Sequence, residues 1–120
     1  MPLIDSPLLR VLSGSLDVNA FRQTLISSNM ANIDTPGYRT LDIDFHRSLV
    51  VAVADADGES AALSPVARRI PGLIERPDGN NVSADRESLL LATTQLRFTL
   101  SEQLIKDEFH KILSAIREGA

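Results

Sequence analysis

The sequence predicts a mainly α-helical chain. Two long terminal helices fold as an antiparallel coiled-coil hairpin, and a loop-rich middle insert has room for a short strand or hairpin. Three observations predict this. Apolar residues recur at helical spacing between residues 8 and 33. No Pro or Gly interrupts residues 84–117. Between these stretches, Gly58, Pro65, Pro71, Gly72, Pro77 and Gly79 punctuate the chain too densely for another long element. One structural domain is thus divided into residues 1–38, 39–80 and 81–120.

The N-terminal helix is placed at about residues 8–33. Ser6-Pro7 supplies an N-cap and a proline at the first helical position. Leu8, Leu12, Leu16, Val18, Phe21 and Leu25 carry its apolar stripe, with Ile26, Met30 and Ile33 alongside. Gly14, between Ser13 and Ser15, is expected to bend or fray it. Gln23, Thr24, Ser27 and Ser28 interrupt the stripe, which makes a modest amphipath. Pro36 then stops the helix, because its ring removes an N–H and clashes one turn back. Thr35 is pushed toward extended geometry. Pro36-Gly37 fits the centre of a type II turn, with Gly37 at positive φ. Asn29 and Asn32 can bond backbone groups that a helix end leaves bare.

After the turn, Leu41, Ile43 and Phe45 alternate with Asp42, Asp44 and His46, as on an extended segment with one apolar face. Arg47–Ala54 suits either a strand or a short helix. Pro77-Asp78-Gly79-Asn80 is a turn signal. The second long helix follows, with Ser83 as N-cap, Asp85 and Glu87 in the first turn and Arg117 in the last. At 100° per residue, Leu89, Ala92, Leu96, Leu100 and Leu104 share one face. Leu91, Phe98, Ile105, Phe109, Ile112 and Ile116 share nearly the opposite one. A partner helix covers one stripe only, so this helix needs two neighbours, the second being the middle insert or another subunit. The Leu91–Ile116 set is assigned to packing between subunits. Its Leu91, Phe98, Ile105 and Ile112 keep heptad spacing.

Composition narrows the function. The chain has 120 residues, no Trp, one Tyr and four Phe, so its core is thin and dependence on partners is expected. A net charge of −4, with no basic cluster beyond Arg68-Arg69, argues against nucleic-acid binding. With no Cys there is neither a disulfide nor a thiol nucleophile. No run of about 18 apolar residues spans a membrane. Met1-Pro2-Leu3-Ile4-Asp5-Ser6 lacks the basic and apolar regions of a cleavable signal.

Nothing in the chain resolves into catalytic chemistry. Asp42, Asp44 and His46 are spaced as metal ligands could be, but a solvated strand face is the better reading. Asp55-Ala56-Asp57-Gly58 fails as a calcium loop, because Val53 and Ser64 fall where ligands are needed. His110 and Asp107 read as an exposed pair. The serines have no neighbouring base, and no glycine-rich phosphate loop exists. We expect no enzyme, cofactor or metal.

Ala31-Asn32-Ile33-Asp34-Thr35-Pro36-Gly37-Tyr38, at the end of a near-N-terminal helix, resembles the signature of the flagellar basal-body rod and hook proteins. The site residues carried over are Ala31, Asn32, Thr35, Pro36, Gly37 and Tyr38. Asn80-Asn81-Val82-Ser83-Ala84-Asp85-Arg86-Glu87 is similar to the Asn-x-Val-x-x-x-x-Glu pattern of the family's proximal-rod branch. The resemblance implies a structural subunit of a hollow drive shaft, which transmits torque and passes export substrates. It implies assembly with further copies and with other rod proteins, contact at the junction with the basal-body ring and export gate, and passage through the flagellar type III export apparatus to the periplasm. A soluble helical adaptor or chaperone of an export system is the alternative.

Overall fold

The computed structural model describes residues 6–55 and 66–119. The chain runs α1 (Pro7–Ala31), β1 (Leu41–Asp42), α2 (Phe45–Asp55), β2 (Arg68–Arg69) and α3 (Ala84–Glu118). The first helix starts as its sequence dictates: the Ser6 hydroxyl accepts the Leu9 N–H at 3.1 Å, and Pro7 opens the helix. α3 starts the same way, with the Ser83 hydroxyl accepting the Arg86 N–H at 3.2 Å. Its 35 residues make a rod roughly 50 Å long.

α1 and α3 pack against each other as the predicted antiparallel hairpin. Ser15 Oγ lies 3.2 Å from Ser101 Oγ, and Asn29 Nδ2 donates to Glu87 Oε2 at 3.2 Å. The step from 15 to 29 on α1 therefore matches the step from 101 back to 87 on α3. In this register Leu12 is level with Leu104.

The other side of α1 carries α2 and β1. The apolar core joins Val18 and Leu25 of α1 to Ile43, with Phe21, Leu41, Phe45, Ala52 and Ala67 packed on it. Where the sequence left strand or helix open, residues 45–55 are helical. Asp44 caps that helix: its Oδ1 accepts the Arg47 N–H at 3.1 Å and its carbonyl accepts the Ser48 N–H at 2.9 Å. The extended segment shrinks to Leu41–Asp42, which pairs antiparallel with Arg69–Arg68. The rejected calcium loop falls largely outside the described residues.

Gly14 does not fray α1, which runs unbroken through it. It faces α2, and a Cβ there would lie 3.4 Å from Ala52 Cβ and 3.6 Å from Leu49 Cδ1. These are ordinary contact distances. Gly14→Ala should therefore stabilise the chain by about 0.5–1 kcal/mol through helix propensity, whereas Gly14→Leu should displace α2. Chemical denaturation of the two variants checks the contrast.

α1 is also more central than its modest apolar stripe suggests, because it is covered on two sides. α3 is the opposite. The described part of the middle insert packs on α1, and the far face of α3 stays open. Leu96 is 73% exposed, Leu89 69% and Leu100 59%.

Candidate functional site: two clasped turns and a buried ion-pair network

The motif residues follow the end of α1. Ala31 is its last helical residue, and Asn32 caps it. Asn32 Nδ2 donates back to the Ser28 carbonyl at 2.8 Å, beside the Asn32 N–H that reaches the same oxygen at 3.1 Å. Thr35, Pro36 and Gly37 are exposed, with Gly37 at φ 75° as the Pro-Gly pair requires. Tyr38 turns back inward, and its hydroxyl lies 3.2 Å from Asn29 Oδ1 and 3.3 Å from Ser28 Oγ.

This turn is not free-standing. The Pro77–Asn80 turn, distant in sequence, closes on it. The Gly37 N–H donates to the Asp78 carbonyl at 2.9 Å. Asn80, fully buried, uses its amide as a rivet: Nδ2 donates to the Asn32 carbonyl at 2.9 Å and the Thr35 carbonyl at 2.8 Å, while Oδ1 accepts the Val82 N–H at 2.8 Å. Arg76 donates to the carbonyls of Ile33 and Val82. Asn81 holds the next step of chain, its Oδ1 accepting the Thr40 N–H at 2.7 Å. The clasp thus orients the exit of α1 and the entry of α3 as one unit.

Two glycines meet back to back there. Gly79 sits at φ 87°, and a Cβ on it would lie 3.3 Å from Gly37 Cα. A Cβ on Gly37 would meet nothing within 4 Å. Gly37→Val should therefore cost only left-handed backbone strain, about 1–2 kcal/mol. Gly79→Val carries the same strain plus a tight approach to the Gly37 backbone, and should be the more destabilising of the two. Thermal melts of both variants test the order.

Below the clasp lies a buried polar network. Asp42 was expected on a solvated face, yet it is nearly enclosed. The short strand and the start of α2 turn it inward, and two arginines receive it. Arg22 of α1 grips both oxygens, Nε to Oδ1 and Nη2 to Oδ2, each at 3.0 Å. Arg86 of α3 adds a bond to Oδ2 at 2.9 Å, and the Ile43 N–H donates to Oδ1 at 2.8 Å. Burial works to raise the Asp42 pKa. The bonds from Arg22 and Ile43, the Arg22 charge and the Arg86 bond outweigh it and hold the carboxyl below the usual aspartate value. Arg86 also reaches its neighbour Glu87, Nη1 to Oε1 at 2.8 Å. Fully buried Glu87 accepts from Asn29, and Asn29 bonds the Leu41 backbone on both sides, donating to O at 2.8 Å and accepting from N at 3.1 Å. Hydrogen bonds thereby run from Tyr38 through Asn29, Glu87, Arg86 and Asp42 to Arg22, crossing α1, β1 and α3.

Asp42, Asp44 and His46 do not converge: Asp42 is taken by arginines, Asp44 caps α2 and faces Arg68 at 3.5 Å, and His46 is exposed. Among the described residues no group of His and carboxylates is gathered as for a metal. The Asn80–Glu87 stretch, read in sequence only as a likeness, holds four inward residues, Asn80, Asn81, Val82 and Glu87. Arg22 and Arg86 gave no sequence signal as partners of Asp42. Of the residues assigned to subunit packing, Leu91, Phe98, Ile105 and Ile112 are half-buried in the single chain, while Phe109 and Ile116 are exposed.

Comparison with known proteins places the motif in context. The family profile described as "Flagella basal body rod protein" matches residues 9–39, which cover most of α1 and the turn. A flagellar basal body rod protein FlgB of Yersinia enterocolitica is 32% identical over 92% of this chain and 94% of its own length. FlgB of Escherichia coli K12 is 30% identical over the same shares. FlgB of Cereibacter sphaeroides is 30% identical over 91% of this chain and 93% of its own length.

Proposed function

This chain belongs to the FlgB family of flagellar basal body rod proteins, and we propose that its copies are joined in the rod through the open face and far end of α3. It is a structural subunit of the proximal rod. The single observation behind the joining surface is that α3 presents Leu89, Leu96 and Leu100 to water while its inner face is already used by α1. We place Phe109, Ile112 and Ile116 in the same contacts, since α3 runs on past the level at which the described part of α1 begins. Leu91, Phe98 and Ile105 complete the packing set by holding the helix to α1 at the correct rotation. The two-turn clasp then sets the direction in which α3 is presented to a neighbour.

The remaining parts of this reading concern partners and place. The subunit contacts other rod proteins and the junction between the basal-body ring and the export gate. It reaches the periplasmic rod through the flagellar type III export apparatus and contributes to a hollow shaft. The family membership and the absence, among the described residues, of a helix long and apolar enough to cross a membrane support this assignment. The test is replacement in the chain's own host. A strain lacking the gene should be non-motile and yield basal bodies without a complete rod. A plasmid copy should restore both motility and the chain's presence in purified basal bodies. Motility in the deletion strain, or absence of the chain from purified basal bodies, would overturn the proposal.

A further inference from the structure

The two-stranded sheet is closed on one side and open on the other. Leu41 of β1 spends its backbone N–H and carbonyl on Asn29 Oδ1 and Nδ2, at 3.1 and 2.8 Å. A side chain stands there in place of a third strand. Those groups point away from β2, so Leu41 and Arg69 form the kind of antiparallel pair whose backbone groups face apart. Arg69 therefore turns its own N–H and carbonyl to the outer edge of β2. It is exposed, and no hydrogen bond within the described residues reaches those two groups. The next residue holds the strand in place, the Ile70 N–H donating to the Thr40 carbonyl at 3.2 Å. An edge in this state is a template for another strand. Its side chains narrow the choice. Arg68 and Arg69 are the one pair of adjacent arginines in the chain. Arg68 reaches Asp44 at 3.5 Å across exposed surface, and Arg69 meets no carboxylate among the described residues. Val66 and Ile74, before and after β2 in the chain, are 77% and 91% exposed, more than any leucine of α3.

We infer that the outer edge of β2 receives an extended acidic segment of another protein by antiparallel strand addition. Arg69 exchanges both of its free backbone bonds with the residue opposite it. Successive residues of a strand face opposite sides, so Arg68 and Arg69 each meet a carboxylate on their own side. The segment that fits thus holds two successive acidic residues, with an apolar residue two places beyond them to meet Val66. The β2 strand of a second copy does not fit, because its arginines would lie against these. The edge belongs to the middle insert, and its occupation does not depend on contacts made by the leucine face of α3.

Amide exchange followed by NMR on the full chain tests this, with the peptide acetyl-Thr-Thr-Glu-Glu-Thr-Val-Thr-amide as probe. At saturating peptide the Arg69 amide should exchange about tenfold more slowly. The Ile70 amide, already bonded to Thr40, should change little. Arg68→Glu/Arg69→Glu alters two exposed side chains and should keep the fold. That variant should lose the acidic peptide and bind its Lys-Lys counterpart about tenfold more tightly than wild type does. N-methylation of the probe's first glutamate, the one opposite Arg69, keeps every charge and removes the backbone donor. It should abolish the protection. Three results would overturn the inference. The Arg69 amide could fail to slow with the acidic probe. The N-methylated probe could protect it equally well, leaving charge attraction without a strand. Protection could instead rise with chain concentration in the absence of peptide, which would make a second copy the occupant.

Discussion

Asp42→Asn should loosen the whole chain, lowering its stability by about 2–3 kcal/mol at pH 7 and its melting temperature by about 10 °C. The substitution keeps size and shape but removes the charge, and places an amide N–H₂ among donors. Arg22 and Arg86 would then converge on a neutral group. Breaking a fully buried pair costs about 3–5 kcal/mol, and we take less because both guanidinium groups reach some water, with 13% and 25% exposure. The loss should extend beyond β1, since Asp42 ties α1 to the first turn of α3. The same residue gives a pH dependence. Its carboxyl lies below the usual aspartate value in the folded chain, so its contribution is fully present above about pH 4 and is lost as pH falls through the lowered folded value. Denaturation of wild type and Asp42→Asn at pH 7 and at pH 3 measures this. The gap between the two proteins should narrow on acidification, and an equal gap at both pH values would remove Asp42 from the acid response.

That residue also marks where the sequence stopped being legible. The two end helices could be read because their signals are local. Ser6-Pro7 and Ser83 are caps, Pro36-Gly37 is a stop, and long spans free of Pro and Gly leave little else to form. Alternation failed at Asp42 because it assigns faces by hydropathy alone. A carboxylate goes inward when cations from other elements meet it, and Arg22 and Arg86 lie on helices far away in sequence. Gly14 failed for a related reason. Its helix propensity is poor, but α2 packs against it, and that packing overrides the local cost. The clasp was half legible: both turns were expected, but their contact through Asn80 and the Gly37–Gly79 approach is long-range. The two apolar faces of α3 were plain from periodicity. Which of them α1 takes depends on the rotation set by Glu87 and Ser101, whose bonds to Asn29 and Ser15 carry no hydrophobic signal.

That rotation leads to the largest effect expected in the cell. Leu96→Asp/Leu100→Asp should leave the isolated chain folded and abolish its incorporation into the rod. Both side chains already face water, so the free chain should lose no more than about 0.5 kcal/mol for each change. If a neighbouring copy covers them, each contributes about 1.5–3 kcal/mol on burial, or about 3–6 kcal/mol for the pair. Losing that weakens one subunit contact by roughly a hundred- to ten-thousand-fold. Two buried aspartates with no cation opposite would add a further penalty. The same contact recurs at every step of a helical assembly, so cells carrying only the variant should not swim. Melting curves matching wild type, with the variant missing from purified basal bodies, are the expected pair of results. A variant that assembles and swims would show that the leucine face stays in water within the rod. Contact between copies would then fall to the end of α3, at Phe109, Ile112 and Ile116.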